Sequence, residues 1–154
     1  MVKIIQSNPY GKLAEDKLRQ FEDALGRTLP EDYRKFLLEH NGPFIVNSFF
    51  DGKEIDFSTF SNDPFFGITD LCERNLDSER LGNEGYLPDG CLAIIGDGCG
   101  NYACIGLQGH NRGKIYYFDH EVNPHGVISD MNLLADTFAD FWTGLEEDVE
   151  NPRL

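Results

Sequence analysis

An α+β domain with an N-terminal helical hairpin, a mainly antiparallel central sheet and a C-terminal helix is predicted from three observations. Helical periodicity is confined to the two ends of the chain. The apolar runs between Leu92 and Phe118 have strand length and short connections. The length, 154 residues, matches one domain. Short links between neighbouring strands imply antiparallel pairing rather than βαβ crossovers. Residues 1–154 are therefore read as one domain, with a core over about 13–145 and an acidic tail at 146–154 that is expected to be mobile.

The first helix spans Leu13 to Leu25, where Ala14, Leu18, Phe21 and Leu25 fall at helical offsets and Gly26 supplies a stop. The second begins at Thr28-Leu29-Pro30-Glu31, in which Thr28 and Glu31 have capping-box spacing and the proline suits a first turn. Tyr33, Phe36 and Leu37 form its apolar stripe, and Asn41-Gly42-Pro43 ends it. So short a joint predicts an αα-hairpin. Phe44 to Phe60 reads as a hairpin around Asp51-Gly52, and Ser61 to Phe66 as a loop. Ile68 to Leu81 is a short, weakly periodic helix, followed by a loop over Gly82 to Gly90. Strands follow at Leu92–Ile95, Tyr102–Leu107 and Lys114–Phe118, then a loop over Asp119–Asp130. The last helix, Met131 to Leu145, aligns Leu134, Phe138, Phe141 and Leu145. Leu18, Phe21, Phe36, Phe138 and Phe141 are the expected shared core.

Charge is the outlier in the composition. Thirteen Lys+Arg against 27 Asp+Glu give a formal net charge of −14. The first 35 residues are nearly balanced, with seven Lys+Arg and six Asp+Glu; the remainder carries −15. From Ile115 to Pro152 there is no Lys or Arg against nine acids. So acidic a chain repels phosphate backbones and anionic lipid, which disfavours direct nucleic-acid or membrane binding and favours a basic protein partner. The N-terminus lacks an apolar stretch of signal-peptide length and no run approaches a membrane span, so the expectation is cytoplasmic. Cys72, Cys91, Cys99 and Cys104 then read as reduced thiols rather than a disulfide frame.

Each catalytic or ligand signature fails its own spacing test. Gly96-Asp97-Gly98-Cys99-Gly100-Asn101 follows a strand as a dinucleotide loop would. Its third glycine comes one position early, though, and a strand rather than a helix follows it. The better reading is a hairpin turn with φ > 0. Cys99 and Cys104, with Cys72 and Cys91 isolated, do not make zinc knuckles. Asp119-His120-Glu121 with His125 offers metal ligands on a loop, but no helical register organises them. No nucleophile elbow or Cys–His signature is present, and His40 near a helix end suits the macrodipole. No catalytic residue, metal or cofactor is assigned. Phe49, Phe50, Phe57, Phe60, Phe65 and Phe66 read as core or under-loop packing, or as an interface if exposed.

An ordered set of motifs resembles the SUKH superfamily, which includes Smi/Knr-type fungal cell-wall regulators and many bacterial immunity proteins. The set opens with Leu25-Gly26-x-x-Leu29-Pro30-x-Asp32-Tyr33-x-x-Phe36-Leu37 and Asn41-Gly42. It continues with Leu92-x-Ile94-x-Gly96-Asp97-Gly98-x-Gly100-Asn101, then Gly113-Lys114-Ile115-Tyr116-x-x-Asp119-His120-Glu121, and closes on Ala135-x-x-Phe138-x-x-Phe141. Pro43 and Cys99 stand where the family often has glycine. The resemblance implies the same α+β fold, no catalytic residues, and in bacteria an immunity protein that neutralises a cognate polymorphic toxin, frequently a nuclease. The alternative is a non-enzymatic interaction module in cell-envelope or cell-wall regulation. In the first reading Asp97, Asp119, Glu121, Glu146, Glu147 and Asp148 are the expected partner-binding residues, occluding a basic cleft.

Overall fold

The computed structural model describes residues 1–52, 54–57, 65–70, 75–76, 80 and 84–150. Strand β1 (Ile4–Gln6) precedes helices α1 (Glu15–Leu25) and α2 (Glu31–Glu39). Strands β2 (Phe44–Ile45), β3 (Ser48–Phe50) and β4 (Ile55–Asp56) follow, then β5 (Cys91–Gly96), β6 (Tyr102–Gly106) and β7 (Ile115–Phe118). Strand β8 (Asn132–Ala135), helix α3 (Phe138–Gly144) and strand β9 (Glu146–Glu147) complete the chain. The strands form three sheets: β1-β2, β4-β3-β9 and the central β5-β6-β7-β8. Every strand pair among them is antiparallel.

The apolar stripes bring the helices onto the central sheet. Leu18, Phe21, Phe36, Phe138 and Phe141 are all buried in one core with the β5–β7 side chains, while Ala14 is exposed and Leu25 half-buried. Phe36 is the hub, its ring lying 4.7 Å from Phe138, 4.9 Å from Trp142 and 5.4 Å from Phe65, tilted as aromatic quadrupoles prefer. Truncating it to alanine costs about 3–5 kcal/mol.

The two N-terminal helices are joined by a polar clamp. Glu22 is buried. Its Oε2 accepts the Leu29 backbone N–H at 2.7 Å, and its Oε1 accepts from Arg34 Nε at 3.0 Å. Arg34 Nη2 also meets Glu15 at 2.5 Å. The expected Thr28/Glu31 capping box does not form. Thr28 instead accepts from Arg112, whose Nη1 reaches its carbonyl at 2.7 Å and whose Nη2 reaches Oγ1 at 3.3 Å.

Three boundaries differ from the sequence expectations. The expected single helix over Met131–Leu145 is a strand followed by a shorter helix. Residues 132–135 pair with β7, and α3 starts where Thr137 Oγ1 caps the Asp140 N–H at 3.0 Å. Glu146–Asp148 are no loose tail: β9 pairs with β3, and the Asp148 N–H donates to the Asn47 carbonyl at 2.8 Å. Val2, just before the unexpected strand β1, is buried ahead of the expected core. The hairpin at Asp51-Gly52 forms as expected, both residues having positive φ. The greater parts of the 61–66 loop and the 68–81 helix lie outside the described residues, as do Phe60, Cys72 and residues 151–154.

Candidate functional site

The glycine-rich turn between β5 and β6 organises the first of the expected acids. Gly98 and Gly100 adopt φ of 79° and 93°, whereas Cys99 does not enter the positive-φ region. This is why a side chain is tolerated where the family often has glycine. Asp97 is buried. It accepts the Cys99 N–H at 2.7 Å, the Asn101 N–H at 3.2 Å and the Asn101 Nδ2 at 2.7 Å. Its carboxylate closes the turn and is not presented to a partner. The strand that follows, β6, places no helix N-terminus over this loop.

A second turn, directly after β7, holds Asp119. Its Oδ1 accepts the Glu121 N–H at 2.8 Å, while Asn123 Oδ1 accepts the Asp119 N–H at 2.9 Å. This leaves Asp119 half-buried and Glu121 exposed. Asp119 lines a cleft of about 310 Å³ with Glu54, Ile55, Tyr117, Val122, Asn123, Asp130 and Asn132. The cleft gathers three carboxylates from the β4 turn and both ends of the 119–130 loop. Among the described residues no lysine or arginine forms an ion pair with them. Val122 stands 75% exposed at its rim. The Tyr117 hydroxyl is pushed up to about 12, first by partial burial and then by the negative fields of Asp97 and Asp119. Its phenol therefore keeps its proton across the physiological range.

The remaining expected acids lie across the smaller sheet. In the order β4-β3-β9, Asp56 opposes Phe49 and Phe49 opposes Glu146, so these three share one face. Asp56, Glu146 and Glu147 are exposed, and Phe49 is half-buried. Glu146 sits two strands from Asp56, on the order of 10 Å at normal strand spacing. Asp148 is buried and its Oδ1 accepts the Glu150 N–H at 3.2 Å. It is therefore not a rim residue. Phe65 is buried, while Phe49 and Phe50 are both half-buried, Phe50 packing on Phe141 at 5.3 Å.

The structure thus brings Asp119 and Glu121 together with Glu54 and Asp130, places Glu146 and Glu147 apart on β9, and buries Asp97 and Asp148. Sequence reasoning missed Glu54, Asp130 and Tyr117 as site residues. They converge only through tertiary folding, and no local spacing could have marked them.

Histidines and cysteines are engaged locally. His120 Nδ1 lies 2.7 Å from Asn101 Oδ1, His125 Nδ1 lies 2.8 Å from the Gly85 carbonyl, and His40 Nδ1 lies 2.6 Å from Ser7 Oγ. Cys104 is buried, and desolvation with the neighbouring Cys91 raises its thiol well above the ordinary range. Among the described residues no three His, Cys, Asp or Glu side chains are placed to hold a metal ion. None of the helices among them is long and apolar enough to cross a membrane. What the cleft offers chemically is a set of hydrogen-bond acceptors and negative charge beside an apolar rim, the complement of a lysine or arginine on a protein surface.

Comparison with known proteins agrees with this architecture. The chain is similar to the SPbeta prophage-derived uncharacterized protein YokK of Bacillus subtilis (strain 168), at 25% identity over 151 residues, covering 88% of this chain and 76% of that protein. The model of the SMI1 / KNR4 family (SUKH-1) matches residues 12–144, from the start of the helical pair to the end of α3. Over that span, most of its length, the chain belongs to the SMI1/KNR4 (SUKH-1) family.

Proposed function

We propose that this chain is an immunity protein that binds a cognate toxin domain, a nuclease, and neutralises it by occluding the basic cleft that would hold nucleic acid. The observation that carries this reading is the cleft of Glu54, Asp119 and Asp130, two of them from the 115–152 segment, which contains no lysine or arginine. The family, known broadly for immunity-type and regulatory proteins, supports it. A nuclease must neutralise phosphates with lysine and arginine. Carboxylates set where phosphates would lie compete for those same side chains, and complementary fields speed the encounter. At ~0.15 M salt the Debye length is only ~8 Å, so acids clustered at the contact dominate. Glu121, Glu146 and Glu147 are exposed and offer direct contacts. Asp119 lines the cleft, while Asp97 and Asp148 act through the turn and strand they hold. The reading requires no catalytic group, metal or cofactor, and it places the protein in the cytoplasm with the toxin.

Co-expression with the C-terminal domain of whatever protein the adjacent gene encodes, scored for growth, tests it. Growth should be rescued by the wild type and lost with Glu54→Lys/Asp119→Lys/Asp130→Lys. Wild type that fails to rescue although it is folded and expressed would overturn the reading.

A further inference from the structure

We propose that the free edge of β8 is the docking site for an extended, basic segment of the partner, added as a fifth strand to the central sheet. The inference rests on the reading of the chain as a binder of a basic protein and specifies how the contact is made. Among the described residues β8 pairs with β7 alone and ends the order β5-β6-β7-β8. Such an edge presents a row of backbone N–H and C=O groups ready to pair with another chain. The opposite edge is treated differently: Phe65 bridges Ile95, and the Phe66 N–H donates to the Ile94 carbonyl at 3.0 Å, so β5 is partly covered. On β8, Asn132 is exposed and Leu133 is 48% exposed, with Val127 at 57% in the preceding loop.

Charge selects the occupant. Asp130 and Asp136 bracket β8, both exposed, and Asp130 with Asn132 also lines the acidic cleft. A second copy of this chain is a poor match. Antiparallel pairing centred on Leu133 would set the Asp130 of each copy opposite the Asp136 of the other, and each copy carries −14. A strand with alternating lysine or arginine meets an acid at each end and sends one cation toward the cleft. Main-chain hydrogen bonds then supply affinity and the cations supply selectivity, as in strand-addition recognition.

The probe is a peptide of alternating Lys and Val, compared with its Glu–Val counterpart and with a Lys–Val peptide N-methylated at every residue. Each is titrated into the full chain at low ionic strength and followed by amide NMR and hydrogen exchange. The Lys–Val peptide should protect the Asn132–Ala135 amides, and N-methylation should weaken binding by at least about tenfold, since it removes the donors but not the charge. Asp130→Lys/Asp136→Lys should lose the Lys–Val peptide and gain the Glu–Val one, a gain that an unfolded variant could not show. Equal binding of the N-methylated peptide, with 132–135 unprotected, would overturn strand addition while leaving the acidic-surface reading intact. No binding of the Lys–Val peptide, or dimerisation through 132–135, would overturn the proposed occupant. Failure of the toxin reading itself is seen separately, in the co-expression assay.

Discussion

Carboxylates serve opposite purposes in two regions of this molecule. Between α1 and α2, Glu15 and Glu22 converge on Arg34, whose guanidinium holds the Glu15 carboxyl below its usual range. In the cleft beside β7, Glu54, Asp119 and Asp130 converge on open space. The first arrangement spends charge on joining two helices and leaves little field outside. The second leaves its field directed outward, where it contributes little to folding and much to encounter. An acidic composition therefore says nothing by itself. What decides is whether the carboxylate is buried or already paired with a cation.

The comparison breaks most visibly at Glu22. Replacing it by leucine leaves the Leu29 N–H without its buried acceptor and Arg34 with Glu15 alone, and should lower unfolding free energy by about 3 kcal/mol in urea denaturation. The Glu22→Leu/Arg34→Met pair should recover only part of that loss, because the Leu29 N–H stays unpaired. Partner binding by either variant, at temperatures where it is folded, should not change. Asp97→Ala comes next. It removes three acceptor contacts from a buried turn, and should cost about 2–3 kcal/mol while leaving the salt dependence of association alone. An Asp97 variant of unchanged stability would mean that this acid belongs with the cleft and not with the clamp.

How much of this was legible in the sequence follows from the range of the interactions. Strands β5, β6 and β7 are continuous apolar runs joined by glycine-rich turns, so local pattern sufficed. The last helix was drawn too long because Leu134 fits helical spacing as well as it fits a strand; pairing with β7 decided in favour of the strand. The Thr137-x-x-Asp140 cap was the local signal for the true helix start. Thr137→Ala should cost about 1 kcal/mol, less than the buried acids. The Thr28 capping box does not form because α2 starts at Glu31 with Pro30 at its N-cap position, and Arg112, 84 residues away, takes the threonine oxygens. Among the site residues, Asp119 and Glu121 were legible from the bias of their segment. Glu54 joins them only across the sheets. Asp97 and Asp148 share a local contact, an aspartate accepting the N–H two residues on, and Asp148 is held in addition by its own N–H to the Asn47 carbonyl, next to β3.

The smallest expected effect is spectroscopic. Tyr117 is raised from 10.0 to about 12, so the folded chain holds this proton more tightly than the unfolded chain does. The associated stability is complete below pH 10 and is lost as pH rises toward 12. Asp119→Asn removes one of the two carboxylate fields on this hydroxyl, and should bring its titration, followed by tyrosinate absorbance, to lower pH. A titration that does not move would place Asp119 farther from the phenol than the cleft requires.

The central claim, that acids without a cation partner steer a basic partner, is tested most directly by stopped-flow association, over a range of salt, with the toxin domain against which co-expression restores growth. Wild type should associate with a rate that falls steeply as salt rises. Glu54→Lys/Glu121→Lys/Asp130→Lys should associate about tenfold or more slowly at low salt, with a nearly flat salt dependence, while its stability stays within about 1 kcal/mol of wild type. Identical, salt-independent association of the two proteins would contradict the account.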